Sequence, residues 1–189
     1  MDEGLPPTIS GLINVRPPSG RQLKPAKTMI VVVMGVSATG KTTVGERVAA
    51  RLGWHFEDAD KFHTTENKEK MAHGEPLNDV DRWRWLDALR NRIRVAADRG
   101  EGLVLACSAL KEIYRERLTV PGAPGAMRFV YLKISLETAR QRLAKRRGHF
   151  MPGSLIESQF ADLEEPREAQ WLNAEANLDD LVKAIIEFK

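Results

Sequence analysis

The chain has 189 residues, of which 42% are hydrophobic and 29% charged, a composition typical of one globular domain with a packed core. The net charge is only +3, and basic and acidic residues are interspersed, so the sequence lacks the clustered basic face of nucleic-acid-binding proteins. No apolar run reaches the roughly 18 residues of a membrane span. The single cysteine, Cys107, excludes an intrachain disulfide and favours a reducing, cytoplasmic location.

Residues 1–27 differ in composition from the rest of the chain. They contain five prolines and three glycines but few large apolar residues, which is typical of a segment that forms no packed core. We therefore predict a flexible N-terminal tail, followed by a single domain over residues 28–189. An organelle transit peptide is the alternative interpretation of the tail, because its basic residues outnumber its acidic ones.

Beyond the tail, short apolar segments alternate with segments of helical periodicity. Strands that alternate with helices indicate an α/β fold, with a parallel sheet covered by helices on both faces. The helical segment at 82–99 has an apolar stripe that includes Trp85, which is predicted to lie in the core, whereas Trp83 is predicted to shield the functional site. The predicted strands are 28–34, 54–57, 103–106, 129–134 and 170–173, and the predicted helices are 42–52, 82–99, 110–118, 136–146 and 178–188.

The first predicted strand leads into a phosphate-binding motif. Residues 35–42 read Gly-Val-Ser-Ala-Thr-Gly-Lys-Thr and match G-x-x-x-x-G-K-[ST], the Walker A pattern. In such a loop, backbone N–H groups and the N-terminus of the following helix bind phosphate oxygens, the lysine reaches the β- and γ-phosphates, and the hydroxyl ligates Mg²⁺. The predicted nucleotide-binding residues are Gly35, Ser37, Ala38, Thr39, Gly40, Lys41, Thr42 and Thr43, with Thr42 as metal ligand. A glycine-rich turn without a ligand is the alternative.

Ala38 stands where a glycine is often found in such loops. An alanine at this position requires either a negative φ or some backbone strain.

Two aspartates, Asp58 and Asp60, follow the second predicted strand. Residues two apart project to the same side if the strand continues, and the C-terminal ends of strands face the ligand crevice in an open α/β sheet. One carboxylate is a candidate ligand for Mg²⁺, and the other a candidate general base that accepts a substrate hydroxyl proton. His63 is a candidate for binding a substrate carboxylate or hydroxyl, with a surface or capping histidine as the alternative.

Two arginines are candidates for binding an anionic substrate. Arg82 is predicted to lie in the first turn of a helix capped by Asn78 or Asp79, where the helix dipole does not favour a cation, so a bound anion would explain it. A solvated surface arginine is the alternative. Arg115 follows the third strand and is predicted to bind a carboxylate through paired hydrogen bonds. Cys107, at the end of that strand, is interpreted as a small core residue.

The most basic segment lies at 141–152. Its cations would repel one another unless an anion joined them, and Gly148 and Pro152 follow the helix end. This pattern predicts a lid that closes over ATP, in which Arg142 and Arg146 contact the nucleotide and Arg147 acts in the transition state. A basic helix C-terminus favoured by the dipole is the alternative.

Five segments together resemble the gluconokinases of the small P-loop type, which are relatives of shikimate and adenylate kinases. The resemblance covers about residues 28–166 and becomes weak after Pro166. The segments 74–82, 107–111 and 148–152, in this order, are much more specific than the Walker A motif. The matching stretches are 34–42, 58–63, 74–82, 107–115 and 148–160.

The resemblance implies a three-layer P-loop fold of the nucleoside-monophosphate-kinase type, with a five-stranded parallel sheet, a substrate-binding region at about 62–81 and a lid at about 146–160. It implies ATP and Mg²⁺ as cofactors, D-gluconate phosphorylated on its 6-hydroxyl, and a homodimer. From the charge and hydropathy patterns we expect binding to neither nucleic acid nor membrane. Asp60 would be the base and Asp58 would assist the metal. The implied substrate-binding residues are Asp60, His63, Arg82, Ser108, Arg115, His149 and Gln159.

Two alternatives stay open at this point. The acceptor could be another small hydroxy acid such as shikimate, or the protein could be a P-loop nucleotide-binding regulator.

Overall fold

The computed structural model describes residues 30–120, 127–145 and 153–188. The predicted tail and three predicted site residues, Arg146, Arg147 and His149, lie outside these ranges. The strands are β1 (Ile30–Met34), β2 (His55–Asp58), β3 (Leu103–Ala106), β4 (Met127–Lys133) and β5 (Gln170–Asn173). The helices are α1 (Lys41–Leu52), α2 (Thr65–Ala72), α3 (Asp79–Arg99), α4 (Glu112–Leu118), α5 (Leu136–Lys145), α6 (Gly153–Asp162) and α7 (Leu178–Glu187), with a 3₁₀ turn at Ala59–Phe62.

The five strands form one parallel sheet in the order β2-β3-β1-β4-β5. The central strand β1 pairs with β3 and β4, so that Val32 lies between Leu105 and Phe129. Because all strands run the same way, their C-terminal ends meet at one edge, where ligands bind in such sheets. This confirms the predicted five-stranded parallel α/β fold.

Alternate residues of β1 point into the two cores of the molecule, which gives the fold three layers. Val31 and Val33 pack in a cluster that includes buried residues of α1, α5 and α7. Ile30, Val32 and Met34 pack in a second cluster with buried residues of α3 and α4. All five β1 residues are buried, as expected of a parallel strand covered on both faces. No helix within the described ranges is long and apolar enough to cross a membrane.

Helix α3 begins three residues earlier than its apolar stripe suggested. Asn78 caps it, since the Asn78 side chain accepts a hydrogen bond from the Asp81 N–H at 2.9 Å. The Asp81 carboxylate in turn accepts from the Asn78 N–H at 3.1 Å, which completes a capping box. The polar first turn hid this start from the periodicity. Of the two predicted caps, Asn78 and Asp79, the helix uses Asn78. The helix ends at Arg99, and Gly100, whose φ is +68°, caps its C-terminus.

Helix α6 was not predicted, since the segment that includes it was interpreted as a lid loop. A signal was present in the sequence: Ile156 and Phe160 are four residues apart, the spacing of one helix face. Ile156 is buried and Phe160 packs partly against the same core cluster as α1 and α7. The described part of the predicted lid is therefore a helix docked on the sheet domain.

Candidate active site

The loop after β1 has the backbone shape that its glycines allow. Gly35 has a φ of +140°, and a Cβ on it would lie 2.7 Å from the carbonyl oxygen of Leu132 in β4. Gly40 has a φ of +92°, at the start of α1. The Gly35 N–H donates to the Ser108 carbonyl at 3.3 Å, which ties the loop to the end of β3. The loop therefore has little freedom to accept other residues at position 35.

Ala38 has a positive φ of +65°, so its backbone is strained, which is one of the two possibilities that the sequence left open. A left-handed conformation costs an alanine about 1–2 kcal/mol, so other contacts must hold it. The Arg142 guanidinium supplies one of them by donating to the Ala38 carbonyl at 3.2 Å. Arg142 also donates to the Ala174 carbonyl at 2.8 Å. This arginine, predicted to contact the nucleotide, thus joins the phosphate loop to the segment after β5.

The predicted metal ligands Thr42 and Asp58 lie next to each other. The Thr42 hydroxyl donates to Asp58 Oδ2 at 2.8 Å, although the two residues are 16 positions apart in sequence. A hydroxyl and a carboxylate oxygen are hard ligands that suit Mg²⁺, which keeps several waters and is usually completed by substrate phosphates. Lys41 lies on the same loop, where its Nζ donates to the Val36 carbonyl at 2.9 Å.

The other threonines of the loop differ from Thr42 in their surroundings. Thr39 is buried, and its hydroxyl donates to the Val36 carbonyl at 3.0 Å, so its side chain stabilises the loop from within. Thr43 is exposed on the first turn of α1.

The two aspartates come together through a turn and not along a strand. The strand does not continue from Asp58 to Asp60, as the sequence interpretation required, because β2 ends at Asp58 and the 3₁₀ turn starts at the next residue. Asp58 caps this turn, with its Oδ1 accepting the Asp60 N–H at 3.0 Å. Burial among surrounding protein atoms raises the pKa of Asp60, as does the negative charge of Asp58, while the Lys41 ammonium lowers it. Asp60 is therefore a stronger base than an ordinary aspartate.

His63 is buried, which rules out the surface-histidine interpretation. Its ring stacks on Trp85, with centroids 4.5 Å apart and planes 10° from parallel. Burial lowers the pKa of His63 to about 4, and the positive charges of Lys68 and Arg82 act in the same direction. Its Nδ1 is buried without a hydrogen-bond partner among the described residues. His63 is therefore neutral at physiological pH and has no charge with which to bind an anion.

The pKa of His63 predicts a pH-dependent stability. The unfolded chain takes up a proton near pH 6.5 that the folded protein takes up only near pH 4, so the free energy of unfolding falls as pH is lowered through this window. The expected loss is up to about 3 kcal/mol. Urea unfolding of the unmodified protein and a His63→Gln variant between pH 7 and 4 measures it. As pH falls, the difference in free energy of unfolding between the two proteins should change by this amount in favour of the variant.

Arg82 lies in a charged network that connects three helices. Its NH1 donates to the Tyr114 hydroxyl at 2.8 Å and to the Asp162 carboxylate of α6 at 3.4 Å. The Tyr114 hydroxyl donates to Asp79, and Lys111 Nζ donates to Asp79 at 3.1 Å. Anions do surround Arg82 in the first turn of α3, but within the described chain they are the protein's own carboxylates, Asp79 and Asp162. Lys111, Tyr114 and Asp162 were not predicted as site residues, although Lys111 and Tyr114 lie in the matching stretch 107–115.

Cys107 is buried directly after β3, and Arg115 is buried within α4. The Arg115 NH1 donates to the carbonyls of Ala109 and Leu110 at 3.0 and 2.8 Å, and Ala109 has a positive φ of +43°. These contacts hold the loop between β3 and α4, and a substrate contact of Arg115 stays a prediction. Burial raises the pKa of the Cys107 thiol to about 12, so it is not a nucleophile. The interpretation of Cys107 as a core residue is confirmed.

Gln159 of α6 binds the phosphate loop. Its Oε1 accepts a hydrogen bond from the Ser37 N–H at 2.7 Å, across 122 positions of sequence. The half-buried Ser108 also lies beside this loop, since its carbonyl accepts the Gly35 N–H. The structure therefore brings both predicted substrate residues to the phosphate-binding motif, and a direct substrate contact of either one stays a prediction.

The chain is similar to several known proteins. A sequence profile for the family described as an AAA domain matches residues 30–169. The gluconokinase of Gluconobacter oxydans is 49% identical over 140 residues, which are 74% of this chain and 78% of that protein. A probable gluconokinase of Rattus norvegicus is 40% identical over 177 residues, covering 84% of this chain and 96% of that one. The crystal structure of a gluconokinase from Sinorhizobium meliloti matches with a TM-score of 0.74 and 42% identity, over 82% of this chain and 88% of the other.

Proposed function

The chain belongs to the gluconokinase family, and from this premise we propose that it transfers the γ-phosphate of ATP to the 6-hydroxyl of D-gluconate, forming 6-phospho-D-gluconate. The observation that supports this most directly is the meeting of three groups at one sheet edge. These are the phosphate loop, the hydrogen-bonded pair Thr42 and Asp58, and the Asp60 carboxylate beside Asp58. No observation in the described chain favours shikimate or a regulatory role.

The phosphate loop is the proposed nucleotide site. Backbone N–H groups at its tip and at the start of α1 would bind the phosphate oxygens of ATP, and Lys41 would turn from the Val36 carbonyl to the β- and γ-phosphates. Thr42 and Asp58 would hold Mg²⁺, which supplies charge neutralisation on the phosphates when it is bound. Arg142 would keep the loop in its strained shape. Arg146 and Arg147, outside the described residues, are proposed to contact the phosphates from the lid.

Asp60 is the proposed general base. Its raised pKa favours acceptance of the proton that the 6-hydroxyl loses as it attacks the γ-phosphate. The other groups align and hold the acceptor, so positioning and electrostatics account for most of the rate enhancement. The residues proposed on the substrate side are His63, Arg82, Ser108, Arg115, His149 and Gln159, and His63 would act as a neutral hydrogen-bonding group.

The proposed reaction is tested by measuring ADP release from Mg-ATP with and without D-gluconate, beside a panel containing shikimate and other sugar acids. We expect turnover to depend on gluconate. A response to another acid alone would refute the proposed acceptor but not the nucleotide site. ATP binding without stimulation by any acceptor would refute the kinase assignment and favour the regulator.

Further properties follow from the family resemblance and are proposals. We propose a single kinase domain over residues 28–189, with a substrate-binding region at 62–81 and a lid at 146–160, and a homodimer in the cytoplasm. A mass in solution equal to that of one chain would refute the dimer.

A further inference from the structure

The carbonyl of Ala59 lies between the two aspartates of the site, in a segment that we call the aspartate turn (residues 58–60). Ala59 is fully buried, so its carbonyl oxygen cannot bind bulk water and needs a partner within the protein. The indole Nε1–H of Trp85 supplies this partner by donating to the Ala59 oxygen at 2.8 Å. The bond is buried, and Trp85 itself is only 3% exposed.

Trp85 is well placed to fix the turn because its own position is rigid. It lies on the buried face of α3, next to Leu86 and one turn before Leu89, both fully buried in the same cluster. The same indole stacks on the ring of His63, just beyond the turn. One side chain of α3 therefore holds the main chain at residue 59 and the side chain at residue 63.

Movement of the aspartate turn would disturb both functional carboxylates. Asp58 accepts hydrogen bonds from the Thr42 hydroxyl and from the Asp60 N–H. A shift of Asp58 would therefore change both its contact with Thr42, the other proposed metal ligand, and the start of the turn. Asp60 is the next residue after Ala59, and its reach toward an acceptor hydroxyl depends on where that peptide lies. By contrast, the phosphate loop is built from β1 and α1, and Trp85 belongs to neither.

We propose that Trp85 is a positioning residue of the phosphoryl transfer, which holds the aspartate turn through its indole N–H. This inference rests on the proposed function. The N–H is the essential part: a phenylalanine at this position could fill much of the space and face His63, but it has no donor for the Ala59 carbonyl. The turn would then be free to shift relative to the nucleotide.

The test compares the steady-state kinetics of the full-length protein with those of a Trp85→Phe variant, with Mg-ATP and gluconate varied separately. We expect kcat to fall by about 10- to 100-fold, since a misplacement of about 1 Å in a reacting group can cost up to ~10²-fold. The KM for ATP should stay within about twofold, because the phosphate loop is unchanged. The Mg²⁺ concentration needed for half-maximal rate should rise, because the turn that follows Asp58 is held less firmly without the Trp85 bond.

A Trp171→Phe variant is the matched control. The Trp171 indole also donates to a backbone carbonyl, that of Pro166 at 3.0 Å, but it does so on the edge strand β5. Its kcat and Mg²⁺ dependence should equal those of the unmodified protein. A Trp85→Phe variant with kcat within twofold of the unmodified protein would overturn the proposal. An increase in the KM for ATP as large as the loss in kcat would also overturn it, since it would indicate general disruption.

A measurement on the unmodified protein keeps the proposal testable if Trp85→Phe does not fold. The indole protons can be observed by ¹⁵N NMR, and the Trp85 proton should exchange slowly with solvent because its bond to Ala59 is buried. Fast exchange would overturn the proposal. The two proposals fail differently: an unmodified protein without gluconate-dependent turnover refutes the proposed function, whereas an active Trp85→Phe variant refutes only the role of the indole.

Discussion

An Asp60→Asn variant is expected to bind ATP normally but to lose about 10²- to 10⁴-fold in kcat, the contribution typical of a positioned general base. The asparagine keeps the shape of the side chain and the turn, but it cannot accept the hydroxyl proton. The unmodified carboxylate is suited to this role because burial and the neighbouring Asp58 raise its pKa. Gluconate-dependent ADP release gives kcat, and equilibrium titration with a fluorescent ATP analogue gives the affinity.

An Asp98→Asn variant is the control for this substitution. Asp98 lies near the C-terminal end of α3, where its side chain is 66% exposed and pairs with Arg94. Its neutralisation should leave kcat unchanged. If Asp60→Asn turned over gluconate at a near-normal rate, Asp60 could not be the base, and the family resemblance would have assigned it the wrong role.

A Lys41→Ala variant is expected to lose 10²-fold or more in kcat/KM, equivalent to about 2.7 kcal/mol of transition-state stabilisation or more. Lys41 contacts the carbonyl of Val36 within the phosphate loop, from where its ammonium would reach the β- and γ-phosphates. The charge that develops on the transferred phosphoryl group would then lose the cation that the Walker A pattern provides for it. The measurement is initial-rate kinetics with ATP and gluconate.

The control for the lysine is Lys183→Ala, which removes an exposed lysine from α7. Circular dichroism should give the same spectrum for both variants, because the side chain at 41 is not part of the core. Near-normal turnover of Lys41→Ala would remove the phosphate loop from the mechanism. A loss of folded structure in that variant alone would show that the contact with Val36 is structural.

The lid and the network around Arg82 were predicted less completely than the phosphate loop. The position of Arg82 indicated that anions lie nearby, but its partner Asp162 is 80 positions away, and no local pattern connects the two. Gln159 was matched to the substrate side, yet its side chain binds Ser37 in the phosphate loop. Such contacts depend on how α6 packs against the sheet, and this helix was itself not predicted.

Trp85 shows how one residue can have two roles of which the sequence reveals only one. Its spacing with Leu86 and Leu89 correctly placed it in the core. The hydrogen bond to Ala59 could not be predicted, since it depends on the docking of α3 beside the end of β2. The aspartates were correctly expected at the sheet edge, but the pattern did not predict that a 3₁₀ turn brings them together.

The sequence by itself determined the phosphate loop and the order of strands and helices around it. Residues 35–42 are contiguous, and their chemistry follows from local backbone geometry, while strand and helix periodicities follow from which residues must be buried. Only the tertiary structure decided which groups meet Asp58 and Asp60. Thr42 comes from α1, and Trp85, which binds the carbonyl between the two aspartates, comes from α3. Such side chains, distant in sequence, become neighbours only through the strand order and helix packing of the folded domain.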